Sequence, residues 1–156
     1  NTSTKAIEKA KEIFKLSGSS IVTVNKEIDG FILNRLQGAL LNEAMRLYSE
    51  GYASSEDIDA TIKDGLGLRW AFMGPFETID LNAPGGIKDY MARYGSIFIE
   101  MAKSQTKIPD WSENAGKKLE LERRKILSEN DLEKRAKKRN FLLKQLRRLK
   151  IENDET

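Results

Sequence analysis

The chain has neither cysteine nor histidine in 156 residues. Without thiols there is no disulfide framework, no cysteine zinc site and no thiol nucleophile. Without imidazole the commonest general base and metal ligand is missing. Most routes to self-sufficient catalysis are therefore closed to these residues. Proline is scarce, with three in all, so helices can run long. No stretch approaches the roughly 20 consecutive apolar residues of a membrane span, and the first residues lack the basic-then-apolar pattern of a secretory leader. The chain is expected to be cytoplasmic, and its start at Asn1 without a methionine reads as the edge of a fragment.

What is present is charge and helical periodicity. The formal net charge is +3, yet residues 117–150 hold 14 Lys or Arg against 5 Asp or Glu. The excess of 9, from 14 − 5, places the basicity in the last quarter. Ile7, Ala10, Ile13 and Phe14 recur at helical spacing between Ser3 and Leu16, with Gly18 as the stop. Ile21–Val24 is a single β-prone run with no partner run nearby. From Phe31 to Glu50 apolar residues occupy nearly every side of a helical projection, which predicts a helix buried at the centre of the domain. Gly51 ends it. Ser54 with Asp57 three residues on forms a capping box for a further helix reaching Asp64.

Gly65–Pro75 reads as a loop with an aromatic anchor at Trp70 and Phe72. Pro75 is placed to start a helix, Gly85-Gly86 separates it from another running to about Lys103, and Pro109 with Trp111 marks one more break. A basic amphipathic stretch starts near Asn114, with Ser128 and Asp131 giving a second start signal, and 152–156 reads as a disordered tail. The sum is an all-α fold of one domain.

Gly65-Leu66-Gly67 lacks the preceding strand and the third glycine of a dinucleotide fingerprint, since position 70 is Trp. The carboxylate pairs Asp57/Asp59 and Glu120/Glu122 read as charged helix surface. No metal ligand set is expected. The basic tail carries leucines at helical spacing, so a docked amphipathic helix accounts for both of its faces; nucleic acid and membrane are not expected partners. Asn34 lies on the apolar stripe of the central helix between Phe31 and Gly38. A buried amide needs partners. They are either the backbone carbonyls of a neighbouring helix or a substrate oxygen at the wall of a cleft. Arg69, between Leu68 and Trp70, is either a surface charge stacked on indole or a grip on a carboxylate.

Asp29-Gly30-Phe31-Ile32-Leu33-Asn34-Arg35-Leu36 resembles the Gly-Phe-x-x-Asn-Arg signature that opens the C-terminal domain of the 3-hydroxyacyl-CoA dehydrogenases. The similarity continues through Glu43–Leu47, Gly51, Asp57-Ile58-Asp59 and Met73-Gly74-Pro75-Phe76-Glu77. Asp29 stands where the fatty-acid enzymes usually have proline, and the segment 65–72 resembles the branch to which lambda-crystallin and L-gulonate 3-dehydrogenase belong.

The resemblance implies a two-domain enzyme. An N-terminal Rossmann domain would bind NAD and supply a catalytic histidine with its carboxylate partner. The helical domain would close the cleft and form a homodimer. Residues 1–28 would be a boundary helix and strand-like connection, and 29–151 the helical domain. Carried over by position, Asn34 is the active-site asparagine. Arg69, in the branch-specific segment, would hold the carboxylate of a small hydroxy acid or bridge the dimer. Alone, the chain would be inactive. The alternatives are an acyl-CoA substrate, or a structural, crystallin-like role that needs neither residue.

Overall fold

The computed structural model describes residues 2–154. Eight α-helices, one π-helical segment and one 3-10 turn make up the ordered elements, and there is no strand among the described residues. The fold is all-α. Ile21–Val24, expected as a strand-like connection, is irregular. A β-prone run has no ladder to join where nothing beside it is extended.

By their contacts the residues fall into two units, one ending at Leu40 and the other beginning at Leu41. The first unit holds α1 (Thr4–Leu16) and the opening turns of α2 (Phe31–Ser49). The Ser3 hydroxyl caps α1 by accepting from the Ala6 N–H at 3.3 Å, and Gly18 follows at φ 69°. No residue of α1 is buried.

The second unit starts with the rest of α2 and continues through α3 (Ser55–Ala60), the π-helical segment Thr61–Leu66 and α4 (Gly67–Trp70). Ser54 caps α3 as its spacing with Asp57 predicts: its Oγ accepts from the Asp57 N–H at 3.1 Å. The expectation of a loop from Gly65 is overturned, because the chain stays helical to Trp70. Its physical basis lies at Gly67, where a Cβ would stand 2.8 Å from the Ile62 carbonyl oxygen. The widened π turn brings that carbonyl inward, and only glycine leaves room for it.

Pro75 opens α5 (Pro75–Leu81), which packs against α6 (Gly86–Ser104). Asp80 and Asp89 hold the corner between them by accepting from the Ile87 and Gly85 N–H groups at 2.6 and 3.2 Å. Ser112 caps α7 (Glu113–Ile126), and Ser128 caps the 3-10 turn Glu129–Asp131 that leads into α8 (Leu132–Asp154). The expected disordered tail is corrected in part: 152–154 continue α8, where the Asn153 side-chain amide donates to the Leu149 carbonyl at 2.7 Å, while Glu155 and Thr156 lie outside the described residues.

The expected burial of α2 is also overturned. Met45 is the one buried hydrophobic residue among those described, while Leu33 and Leu36 on the same helix are 74 % and 60 % exposed. The periodicity predicts the helix itself correctly, while its apolar side chains Leu33 and Leu36 stand open.

Candidate functional site

The first unit places Asn34 in the opening turn of α2. The approach to that turn is strained. Gly30 sits at φ 81° and Phe31, a bulky aromatic, at φ 49°, the only non-glycine residue with positive φ among those described. The Phe31 N–H donates to the Ile28 carbonyl at 3.0 Å, which closes the turn and fixes where α2 begins. Left-handed non-glycine backbone costs about 1–3 kcal/mol and concentrates at functional sites. The Asn34 side chain is exposed, contrary to the buried amide the stripe predicts, so both its donor and its acceptor are open to a group from outside.

In the second unit Arg69 stands on α4, directly after the π turn, and is exposed. It is a helical residue and not part of a loop, with its guanidinium in no ion pair among the described residues. Its carbonyl accepts from the Phe72 and Met73 N–H groups, both at 3.1 Å, and so ends the helix. Asn34 and Arg69 belong to different units, and each is placed only within its own.

A polar cluster that the sequence conceals ties α2, α3 and α7 together. Ser55, buried, donates from its N–H at 2.9 Å and from its hydroxyl at 2.8 Å to one oxygen of Glu122. These hydrogen bonds, with the Tyr48 hydroxyl close by, hold the Glu122 carboxyl below its ordinary range. The Tyr48 hydroxyl is itself buried without a hydrogen bond of good geometry, and loss of solvent raises its pKa, with the nearby carboxylate adding to the rise. Glu122 is therefore not the plain surface charge its spacing from Glu120 predicts. The signal is invisible in sequence because Ser55 and Glu122 lie 67 positions apart.

Around this cluster Arg46 grips Glu43 through Nε and Nη2 and reaches Glu50 through Nη1 at 3.0 Å. The Arg46 contact holds the Glu43 carboxyl below its ordinary range. Trp111 Nε1 donates to Asn42 Oδ1 at 3.0 Å, and Arg123 pairs with Asp59 at 3.1 Å. A depression of about 230 Å³ between these elements is lined by Leu41, Met45, Tyr48, Ile58, Trp111 and Leu119. These contacts brace α2 against α3 and α7.

Residues 30–138 match the family profile described as 3-hydroxyacyl-CoA dehydrogenase, C-terminal domain. The chain belongs to that family. The match opens at Gly30, at the strained turn before Asn34, and takes in Arg69 and the whole brace. Among curated relatives, rabbit (Oryctolagus cuniculus) lambda-crystallin is 45 % identical over 111 residues, 71 % of this chain and 34 % of the relative. The human lambda-crystallin homolog is 37 % identical over 118 residues, 76 % of this chain and 37 % of the relative. An L-carnitine dehydrogenase of Pseudomonas putida is 43 % identical over 95 residues, 60 % of this chain and 30 % of the relative. The chain thus spans about a third of the length of the curated relatives it matches.

The dinucleotide cofactor implied by such relatives finds no seat among the described residues. A pyrophosphate cradle needs a strand, a glycine turn and a helix N-terminus in succession. Gly65-Leu66-Gly67 lies inside continuous helix, and the space beside Gly67 is filled by the Ile62 carbonyl. These residues do not fit NAD.

Proposed function

We propose that this chain is the substrate-cleft and dimerisation domain, residues 29–151, of an NAD-dependent dehydrogenase that oxidises the secondary alcohol of a small hydroxy acid. NAD, the histidine base and its carboxylate partner are assigned to an N-terminal Rossmann domain outside this sequence. Residues 1–28 are assigned to the boundary between the two. In this reading the isolated chain is inactive, and the working protein is a homodimer.

The observation that carries the reading is Asn34: an exposed amide in the first turn of α2, held behind a strained Gly30-Phe31 turn at the opening of the family match. Its role is to hydrogen-bond the reacting oxygen or to orient the imidazole of the companion domain. Arg69, exposed and unpaired among the described residues, is assigned to the substrate carboxylate. A small acid is preferred to an acyl-CoA thioester because the relatives include lambda-crystallins and an L-carnitine dehydrogenase, whose named substrate carries a carboxylate and a hydroxyl.

The test is the rate of NADH formation by the full two-domain protein with L-gulonate and with L-carnitine, beside L-3-hydroxybutyryl-CoA. Faster turnover of either free acid, with a rise in KM of at least about tenfold in Arg69→Ala, supports the reading. Preference for the thioester, with Arg69→Ala unchanged, returns the protein to the fatty-acid branch. No turnover of any of the three leaves the structural, crystallin-like role as the better account.

A further inference from the structure

We propose that α8 is the docking surface for an acidic amphipathic helix of a partner protein. Leu132, Ala136, Arg139, Leu143 and Leu146 follow one another along α8 at steps of four, three, four and three. That is the 3.5-residue repeat which a facing helix satisfies along its length. Together with Leu127, just past the end of α7, this row walls a groove. Leu132 and Leu143 are 42 % and 56 % exposed, so the described residues leave the groove uncovered. The family match ends at residue 138, within α8; Arg139, Leu143 and Leu146 lie past it, and the reaction proposed above uses none of these side chains.

Charge selects the occupant. Between Leu132 and Lys150 α8 carries nine Lys or Arg against Glu133 alone, and Glu133 is taken by Lys137. Three of the cations line the groove itself. Arg135 and Lys138 form no ion pair among the described residues, and Arg139 meets the neutral side-chain amide of Asn140 at 3.0 and 3.1 Å. Leucines interleaved with guanidinium groups match a surface that is apolar and anionic at once: apolar side chains along the seam, with Asp or Glu one row out to take the arginines in charge-assisted hydrogen bonds. A second copy of α8 fails on the same ground, because it would set like charges against each other. A lipid surface offers anionic headgroups but no ridge to fill a concave seam, and the groove has no Trp, Tyr or Phe in its wall to anchor there.

The test uses the full two-domain protein and a fluorescent peptide of about three heptads, with leucine at both seam positions and glutamate at the flanking ones. Fluorescence anisotropy is expected to show saturable binding that weakens as salt is raised. Arg135→Glu/Arg139→Glu is expected to weaken it at least about tenfold with helix content unchanged. Lys144→Glu/Arg148→Glu makes the same change in net charge, each residue standing nine positions on from its counterpart and so on the opposite side of the helix, and is expected to leave binding within about twofold. No binding by the wild-type protein overturns the proposal, as does equal weakening by the two double variants, which would mark a general attraction between charges. Binding to vesicles of phosphatidylserine and phosphatidylcholine in place of the peptide would make α8 a lipid-binding helix and overturns it as well.

Discussion

The brace formed by α2, α3 and α7 and the pair of long helices α6 and α8 differ in what holds them. In the brace, side chains far apart in sequence meet: Ser55 with Glu122, Trp111 with Asn42, and Arg123 with Asp59. On α6 and α8 the ion pairs stay within one helix, as in Arg93–Asp89 and Lys137–Glu133, and the apolar side chains stand open. Along α8 a groove of about 670 Å³ is walled by Leu132, Leu142, Leu143 and Leu146. The brace is stabilised by this chain's own contacts. On α6 and α8 few contacts of that kind form, and the apolar side chains remain exposed.

Substitutions rank by which of the two regions they strike. Met45→Ala removes the one buried hydrophobic residue of the brace and is expected to cost about 2–3 kcal/mol in chemical denaturation. Gly67→Ala sets a methyl against the Ile62 carbonyl at 2.8 Å and is expected to cost about 1–2 kcal/mol, with the helical signal of 61–70 weakened. Glu122→Ala strips the acceptor from a buried Ser55 and should lower Tm by about 3 °C. Lys137→Ala, on α8, breaks a pair whose members are 75 % and 80 % exposed and should change stability by less than about 0.5 kcal/mol. Equal losses at Glu122 and Lys137 would erase the distinction between the regions.

Acid sharpens it further. Glu122 and Glu43 both have folded-state pKa values below the ordinary 4.5, so they bind fewer protons folded than unfolded. Their contribution is present above about 4.5 and is lost as pH falls through the depressed values. Circular dichroism between pH 7 and pH 2 should show stability falling below pH 4.5, and Glu122→Ala should flatten that fall.

Much of the fold is legible in the sequence because its punctuation is local. Ser54 with Asp57, Pro75 and Gly18 each act on their own turn and mark the helix limits where the structure has them. What is not legible depends on distance or on geometry without a residue signature. Gly65 and Gly67 look like loop residues until the π turn shows that a carbonyl occupies the missing side chain's place. The apolar stripe of α2 is plain in the sequence, but that Leu33 and Leu36 on it stand exposed is not. Asn34 stands out by its place on that stripe and by family resemblance, yet the strain at Phe31 that fixes its turn has no counterpart in residue type.

The most direct measurement is turnover of the preferred hydroxy acid by the full two-domain protein carrying Asn34→Ala, with the dimer and the melting temperature checked alongside. Asn34 is an exposed side chain, so folding and assembly should be unchanged. The account predicts a fall in kcat of about 10²-fold or more, the loss associated with removing one oriented hydrogen-bond donor at the reacting oxygen. A variant that folds, dimerises and turns over at the wild-type rate would contradict it.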